Sequence, residues 1–258
     1  GTSVTAAQWA GAINRLNTIR THQSGSGSGL SAPTAGSTIS YLSTLSSAIS
    51  TAYTNRTATN YASPSTTSLT KGLTIIQTSG LPGSTNMSWT VQWSSVNAAR
   101  YFFNAGGYYI VSYASFTNSG GTARGTSIQT LAQTNFASKR VNIHSMGART
   151  GTGGIVTQDT TNVGYYELAN GNTNYCIVTG QSYPYVGDYV YMQGYTNAVA
   201  TNGGNGNTHY VTFGAYSSAT GSSGTFNDNI NITLYMTLQV YYPEVTNLTS
   251  SWGTVTIT

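Results

Sequence analysis

The chain predicts a mainly β protein: an antiparallel β-sandwich or jelly-roll-like domain preceded by a short N-terminal helical hairpin. Three observations lead there. Residues 229–242 place Ile230, Ile232, Leu234, Met236, Leu238, Val240 and Tyr242 at every second position, with Asn, Thr, Gln or Tyr between them. Side chains along a strand point alternately to opposite faces, so this spacing buries one face and wets the other. Shorter runs of the same kind recur between Gly, Asn, Ser and Thr turns, without the long helical patterns that parallel βαβ units require. Charged residues make up only 5% of the chain, against roughly a quarter in an ordinary soluble domain, so the polar surface must come from Ser, Thr, Asn, Gln and Gly.

Taken in order, Thr5 with Gln8 fits a capping box, and Trp9, Ile13, Leu16 and Ile19 follow at helical spacing, which predicts a helix over 5–21. The Ser/Gly run 24–29 ends it. After Pro33 a second helical pattern starts, with Thr38 as its cap and Leu42, Leu45 and Ile49 facing inward. Each apolar stripe is too short to stand alone. Trp9, Ile13, Leu16, Leu42, Leu45 and Ile49 are therefore the candidate assembly interface, docking on the β-domain or on equivalent helices of neighbouring subunits. The expected organisation is a helical anchor over 1–53, a Ser/Thr/Asn-rich linker with Pro64 over 54–70, and a β-domain over 71–258. Ten strands are expected, near 73–78, 87–93, 107–116, 139–144, 163–168, 174–181, 187–195, 208–216, 229–242 and 254–258, with 126–136 as a short helix.

The nine basic residues all precede Asp159, the first of five acids, so the sequence suggests one end facing an acidic partner and the other a basic one. The bases do not cluster into a nucleic-acid-binding stripe. No apolar run approaches the ~18 residues of a membrane span, and membrane insertion is not expected. The lone Cys176 allows no internal disulfide and no multi-cysteine zinc site, and reads as a small buried apolar residue.

His22, His144 and His209 lack ligand-like spacing and read as hydrogen-bonded surface or loop residues. Asp228 between Asn227 and Asn229 reads as a turn, and the glycine pairs lack the Lys-Ser/Thr of a phosphate loop. No catalytic, cofactor-binding or metal-binding residue is assigned. An enzyme would need two of Asp159, Glu167, Asp188, Asp228 and Glu244 to share a cleft, at a separation of roughly 5–9.5 Å for glycoside hydrolysis.

Tyr183, Tyr185, Tyr189, Tyr191 and Tyr195 are all odd-numbered, while Pro184, Val186, Val190 and Met192 are even, so an extended segment displays a tyrosine face. A phenol combines a flat apolar ring with a hydrogen-bonding hydroxyl, which suits a subunit interface or core as well as a sugar ring. Both uses stay open.

Three stretches together resemble virion structural proteins of tailed bacteriophages, especially phages of marine and cyanobacterial hosts. They are Val4-Thr5-Ala6-Ala7-Gln8-Trp9 with Arg20-Thr21-His22-Gln23, then Ala99-Arg100-Tyr101-Phe102-Phe103-Asn104-Ala105-Gly106-Gly107 with Ser119-Gly120-Gly121, and Asn247-Leu248-Thr249-Ser250-Ser251-Trp252-Gly253-Thr254. The resemblance implies a non-enzymatic building block of a tail, baseplate, fibre or head surface, made in the host cytoplasm without export. It implies other virion proteins as partners and a homo-oligomer, a trimer being natural in fibres and spikes. The competing reading is a carbohydrate-binding or receptor-binding adhesive module contacting a host surface glycan.

Overall fold

The computed structural model describes residues 4–24, 26–37, 41–54, 66–77, 83–168, 170–180, 185–197, 206–218, 229–243 and 253–258. The chain divides into two compact units: a helical one of Gly1–Ser65 with Asn104–Gly106 and Pro243–Ser251, and a β-unit of Thr66–Phe103, Gly107–Tyr242 and Trp252–Thr258.

In the helical unit, α1 runs over Ala6–Ser24 and α2 over Leu42–Thr54. The capping box is present: the Thr5 N–H donates to Gln8 Oε1 at 2.9 Å, and the Gln8 N–H to Thr5 Oγ1 at 3.3 Å. The expected cap Thr38 lies outside the described residues. Asn17, which carries no periodic signal, organises the return of the chain. Its Oδ1 accepts from the Ser28 N–H at 2.8 Å and its Nδ2 donates to the Leu30 carbonyl at 3.0 Å. That clamp brings Leu30 into an interior with Ile13, Leu16, Leu45 and Ala52, flanked by Trp9, Tyr41 and Ala48.

In the β-unit, all pairings are antiparallel. The strands are β1 (Thr66–Gln77), β2 (Gly83–Gln92), β3 (Tyr108–Asn118), β4 (Ser138–Val141), β5 (Ile155–Asp159), β6 (Thr173–Thr179), β7 (Tyr189–Thr196), β8 (Thr208–Ser217), β9 (Ile230–Tyr241) and β10 (Thr256–Ile257). One sheet has the order β1-β9-β3-β4 and the other β10-β2-β8-β7-β6-β5. β9 pairs along its whole length with β1 on one side, and on the other with β3, where a bulge falls between Tyr113 and Ser115. Its alternation holds throughout: Ile230, Ile232, Leu234, Met236, Leu238 and Val240 are buried. Burying each such side chain stabilises the fold by about 1.5–3 kcal/mol.

Three departures from expectation have local causes. β1 begins at Thr66, inside the expected 54–70 linker, because Ser, Thr and Gly suffice on the wet face of a strand whose Leu73 and Ile75 are buried. Residues 163–168 form a turn, not a strand: the Leu168 N–H bonds the Gly164 carbonyl at 3.1 Å, placing Tyr165 and Leu168 inward three residues apart. The missing strand is β5, whose Ile155, Val156 and Thr157 are all exposed and so show no alternation.

Helix α3 (Val96–Asn104) also went unforeseen, although the Ser95 hydroxyl accepts from the Ala98 N–H at 3.1 Å and Ala98, Ala99, Phe102 and Phe103 fall on its buried face. The helix expected at 126–136 is α4 (Ala123–Thr130), capped by Thr122, running into a π-helical turn over Leu131–Phe136. The carbonyls that end this turn are taken up by the loop after Gly147. The Thr152 N–H bonds the Thr134 carbonyl at 2.9 Å, the Gly151 N–H bonds that of Phe136 at 3.2 Å, and the Arg149 guanidinium bonds that of Asn135. A cation at a helix C-terminus also opposes the dipole there.

The sequence-separated charges meet inside this unit, which corrects the expectation of an acidic end and a basic end. Arg124 holds Asp188 by two bonds, Nη2 to Oδ1 at 2.9 Å and Nε to Oδ2 at 3.2 Å, both side chains being buried. Burial pushes the Asp188 carboxyl up, while Arg124, the Ser218 N–H and the Ser217 hydroxyl pull it back. Lys139, wholly buried on β4, reaches Asp159 and the Thr160 carbonyl. Cys176 is buried as expected, and burial pushes its thiol up to about 11.

His209, on β8, is the other correction: it is neither at the surface nor in a loop. Its ring sits within 5.1 Å of Trp93, 5.4 Å of Tyr165, 5.6 Å of Phe103 and 5.9 Å of Tyr109, measured between centroids. Among the described residues neither ring nitrogen has a hydrogen-bond partner, and burial lowers its pKa to about 3.

Two outcomes are expected. Arg124→Ala leaves a carboxylate buried beside no cation and lowers unfolding stability by about 3–5 kcal/mol in denaturant titration. For His209, the unfolded state takes up a proton below pH 6.5 that the folded state refuses until about pH 3. The stability present above pH 6.5 is therefore lost as pH falls, by as much as roughly 5 kcal/mol at pH 3. Thermal melts from pH 7 to 4 check this: the wild-type midpoint drops steeply, and that of His209→Phe drops much less.

Candidate functional site

The tyrosine row predicted from alternation exists over β7, where Tyr189, Tyr191, Gln193 and Tyr195 point outward between buried Val190, Met192, Gly194 and Thr196. The register with β8 sets opposite them Tyr216, Gly214, Thr212 and Tyr210. One strand further, β2 contributes Ser84, Asn86, Ser88 and Thr90 in the same rows. The result is an outward grid of five tyrosines among hydroxyls and amides, with no Asp, Glu, Lys or Arg.

The rings are not equivalent. Tyr195 stacks on Tyr210 with centroids 4.7 Å apart, and Tyr189 on Tyr216 at 4.9 Å. Such cross-strand aromatic pairs stabilise a sheet by about 0.5–1.5 kcal/mol beyond their buried area. Between the two pairs, Tyr191 lies over Gly214, where a Cβ would collide with its ring. Gly214 is thus an outward position buried by a cross-strand neighbour, and Tyr191 rests on backbone with the Tyr189 ring tilted beside it at 6.1 Å. Ser88 and Thr212 share a hydroxyl hydrogen bond of 2.9 Å beside it. Burial first, then the adjacent Tyr216 and Tyr191, raises the Tyr189 phenol, which stays a neutral donor.

Of the five tyrosines expected on this face, Tyr183 lies outside the described residues. Tyr185 is off the row, because the Asp188 N–H bonds its carbonyl at 3.0 Å in a turn before β7, and its ring sits 5.9 Å from the Arg124 guanidinium. Tyr210 and Tyr216 were missed. Their signal is the same alternation, Tyr210, Thr212, Gly214 and Tyr216 against Val211, Phe213 and Ala215. The outer face of the other sheet is also uncharged along β1 and β9, with hydroxyl bonds joining Thr70 to Thr237 at 2.7 Å and Thr74 to Thr233 at 3.1 Å.

The helix residues named as an assembly interface separate into two groups. Ile13, Leu16 and Leu45 are buried in the hairpin's own interior, with Trp9 packed against it, so they close this unit and are not an exposed surface. Leu42 is 60% exposed and Ile49 52% exposed, which corrects their inward assignment. The inward stripe of α2 is Leu45, Ala48 and Ala52, with Tyr41 just before the helix packed against the same interior, and Leu42 and Ile49 form a second stripe beside it.

The acids do not converge where they are described. Asp159 and Asp188 are held by Lys139 and Arg124, and Glu167 accepts from His144 Nδ1 at 2.9 Å on the exposed surface. Asp228, Glu244 and the His22 side chain lie outside the described residues. Among the described residues no three His, Cys, Asp or Glu side chains gather at metal-binding distance, and no helix is long and apolar enough to cross a membrane. Comparison of the chain with protein-family models, with curated proteins and with solved structures finds no match in any of the three.

Gly214→Ala is expected to displace the Tyr191 ring and to destabilise the β-unit by about 1–3 kcal/mol, as overpacking does. Denaturant melts measure the cost, and a shift of the Tyr191 ring resonances reports the displacement.

Proposed function

We propose that this chain is a non-enzymatic structural protein of a tailed-bacteriophage particle, assembling with itself and with other particle proteins through its helical unit and displaying its β-unit. The observation that carries the reading is the second apolar stripe of α2. Leu42 and Ile49 stand seven residues apart on one helical face and remain exposed after the hairpin has closed its own interior. Exposed Leu and Ile on a short helix gain free energy only when another surface covers them. The uncharged outer faces of β1 and β9 in one sheet and of β2, β8 and β7 in the other support the same reading, since they present shape and neutral hydrogen-bonding groups to other macromolecules. The described carboxylates support a structural role as well, each being engaged by its own cation or histidine.

The test is incorporation. In particles purified from infected cells, Leu42→Ser with Ile49→Ser is expected to lower the copy number of the protein severalfold while its thermal midpoint stays within a few degrees of wild type. Deletion of residues 1–60 is expected to abolish incorporation. Normal copy number in either variant overturns the anchoring role, and absence of the wild-type chain from purified particles overturns the reading as a whole.

A further inference from the structure

We propose that the outward face of β7 and β8 binds an uncharged glycan, with the Tyr191 ring, seated on Gly214, as its stacking platform. Three features of the grid lead to that occupant.

The first is geometry. The other four rings are paired face to face, Tyr195 with Tyr210 and Tyr189 with Tyr216, so much of their apolar area is already covered by a neighbour. Tyr191 instead lies against a glycine backbone with Tyr189 only tilted beside it at 6.1 Å, and like the other four it is half-buried. Its outer side offers a flat apolar patch of the size of one pyranose ring, walled on one side by the stacked Tyr189 and Tyr216 and flanked on the other by Gln193 and Thr212. A sugar carries C–H groups on one face and hydroxyls at its rim, and it places the first on an aromatic ring and the second on polar neighbours. Asn86, Gln193, Ser88 and Thr212 occupy the rows of Tyr191 and of its neighbour, and supply both donors and acceptors.

The second is charge. No ionised side chain belongs to the grid, and the Lys71 ammonium at its β2 edge is engaged by the Ser88 carbonyl, so a carboxylated or sulfated sugar, or a charged peptide, would lose hydration over β7 and β8 without gaining an opposite charge. A neutral glycan loses nothing of that kind.

The third is area. With strands about 4.8 Å apart and rows about 6.8 Å apart, the grid of three strands and four rows covers roughly 400 Å². A stable protein interface buries about 800 Å² per partner, twice that area, so the grid fits a short oligosaccharide better than a second copy of the chain.

The proposal does not depend on the phage-particle reading: absence of the wild-type chain from purified particles, with glycan binding intact, would sink only that reading. The experiment uses the full chain on an immobilised array of neutral hexose oligosaccharides and their uronic-acid and sulfated counterparts. Binding to neutral members is expected, with acidic members not retained. Tyr191→Ala is expected to weaken binding roughly tenfold, whereas Tyr191→Phe, which keeps the ring, stays within about threefold. Tyr235→Ala, on the other sheet beside Gly72, serves as the folded control and is expected to bind as wild type. Retention of no neutral oligosaccharide, preference for acidic ones, or equal binding by Tyr191→Ala each overturns the proposal. A change in oligomer mass on Tyr191→Ala, read by light scattering, also overturns it, because the face would then be covered by another copy.

Discussion

The two-residue period of β9 is the constraint on which the β-unit rests. This strand is paired on both edges and joins β1, just after the helical unit, to β3, so its in-or-out assignment sets that of a whole sheet. A slip of one residue would exchange Ile232, Leu234, Met236 and Leu238 for Thr233, Tyr235, Thr237 and Gln239 in the interior. The buried hydroxyls and amides would then need partners that an apolar core cannot supply. Because β1 and β9 are far apart in sequence, their pairing closes a long loop, and the ladder of twelve paired residues, with the apolar face of β9 and Leu73 and Ile75 of β1 buried, offsets that entropy.

Scarcity of charge shapes everything built on that frame. A chain with so few ionised groups cannot scatter them over its surface for solubility, and it places several of them inside. Arg124 with Asp188 and Lys139 with Asp159 join α4 to the turn before β7 and β4 to β5. Each such link is valuable less for its net energy than for its geometry, since a buried guanidinium accepts few alternative arrangements around a carboxylate. Arg149, closing the end of the π-helical turn through carbonyls of Asn135, Gly151 and Gly153, follows the same logic. The surface left over is neutral, and its chemistry is that of phenols, hydroxyls and amides.

The interior around His209 shows the other consequence of this composition. Aromatic rings from β3, α3, Trp93 just after β2 and the turn at Tyr165 fill the space near one end of β8, and a histidine stands where a fully apolar side chain would cost nothing to desolvate. The ring is held by packing alone among protein groups, which keeps it neutral and ties the stability of the core to pH.

From sequence alone, the class of fold, the helical hairpin with its capping box, nine of the ten strands and the outward tyrosines of β7 were legible, because each is a periodic pattern within a single segment. What alternation does not mark was not: β5 is exposed on both faces, α3 is short, and Tyr165 and Leu168 sit in one turn of helix. Partners distant along the chain were decided only by tertiary structure. Nothing local in the sequence pairs Arg124 with Asp188, sets Gly214 beneath Tyr191, or makes Leu45 and Ala52 of α2 the buried stripe while Leu42 and Ile49 stay exposed. Periodicity states which side chains share a face, but the register between strands and the rotation of one helix on another follow from the fit of whole surfaces, which no single segment contains.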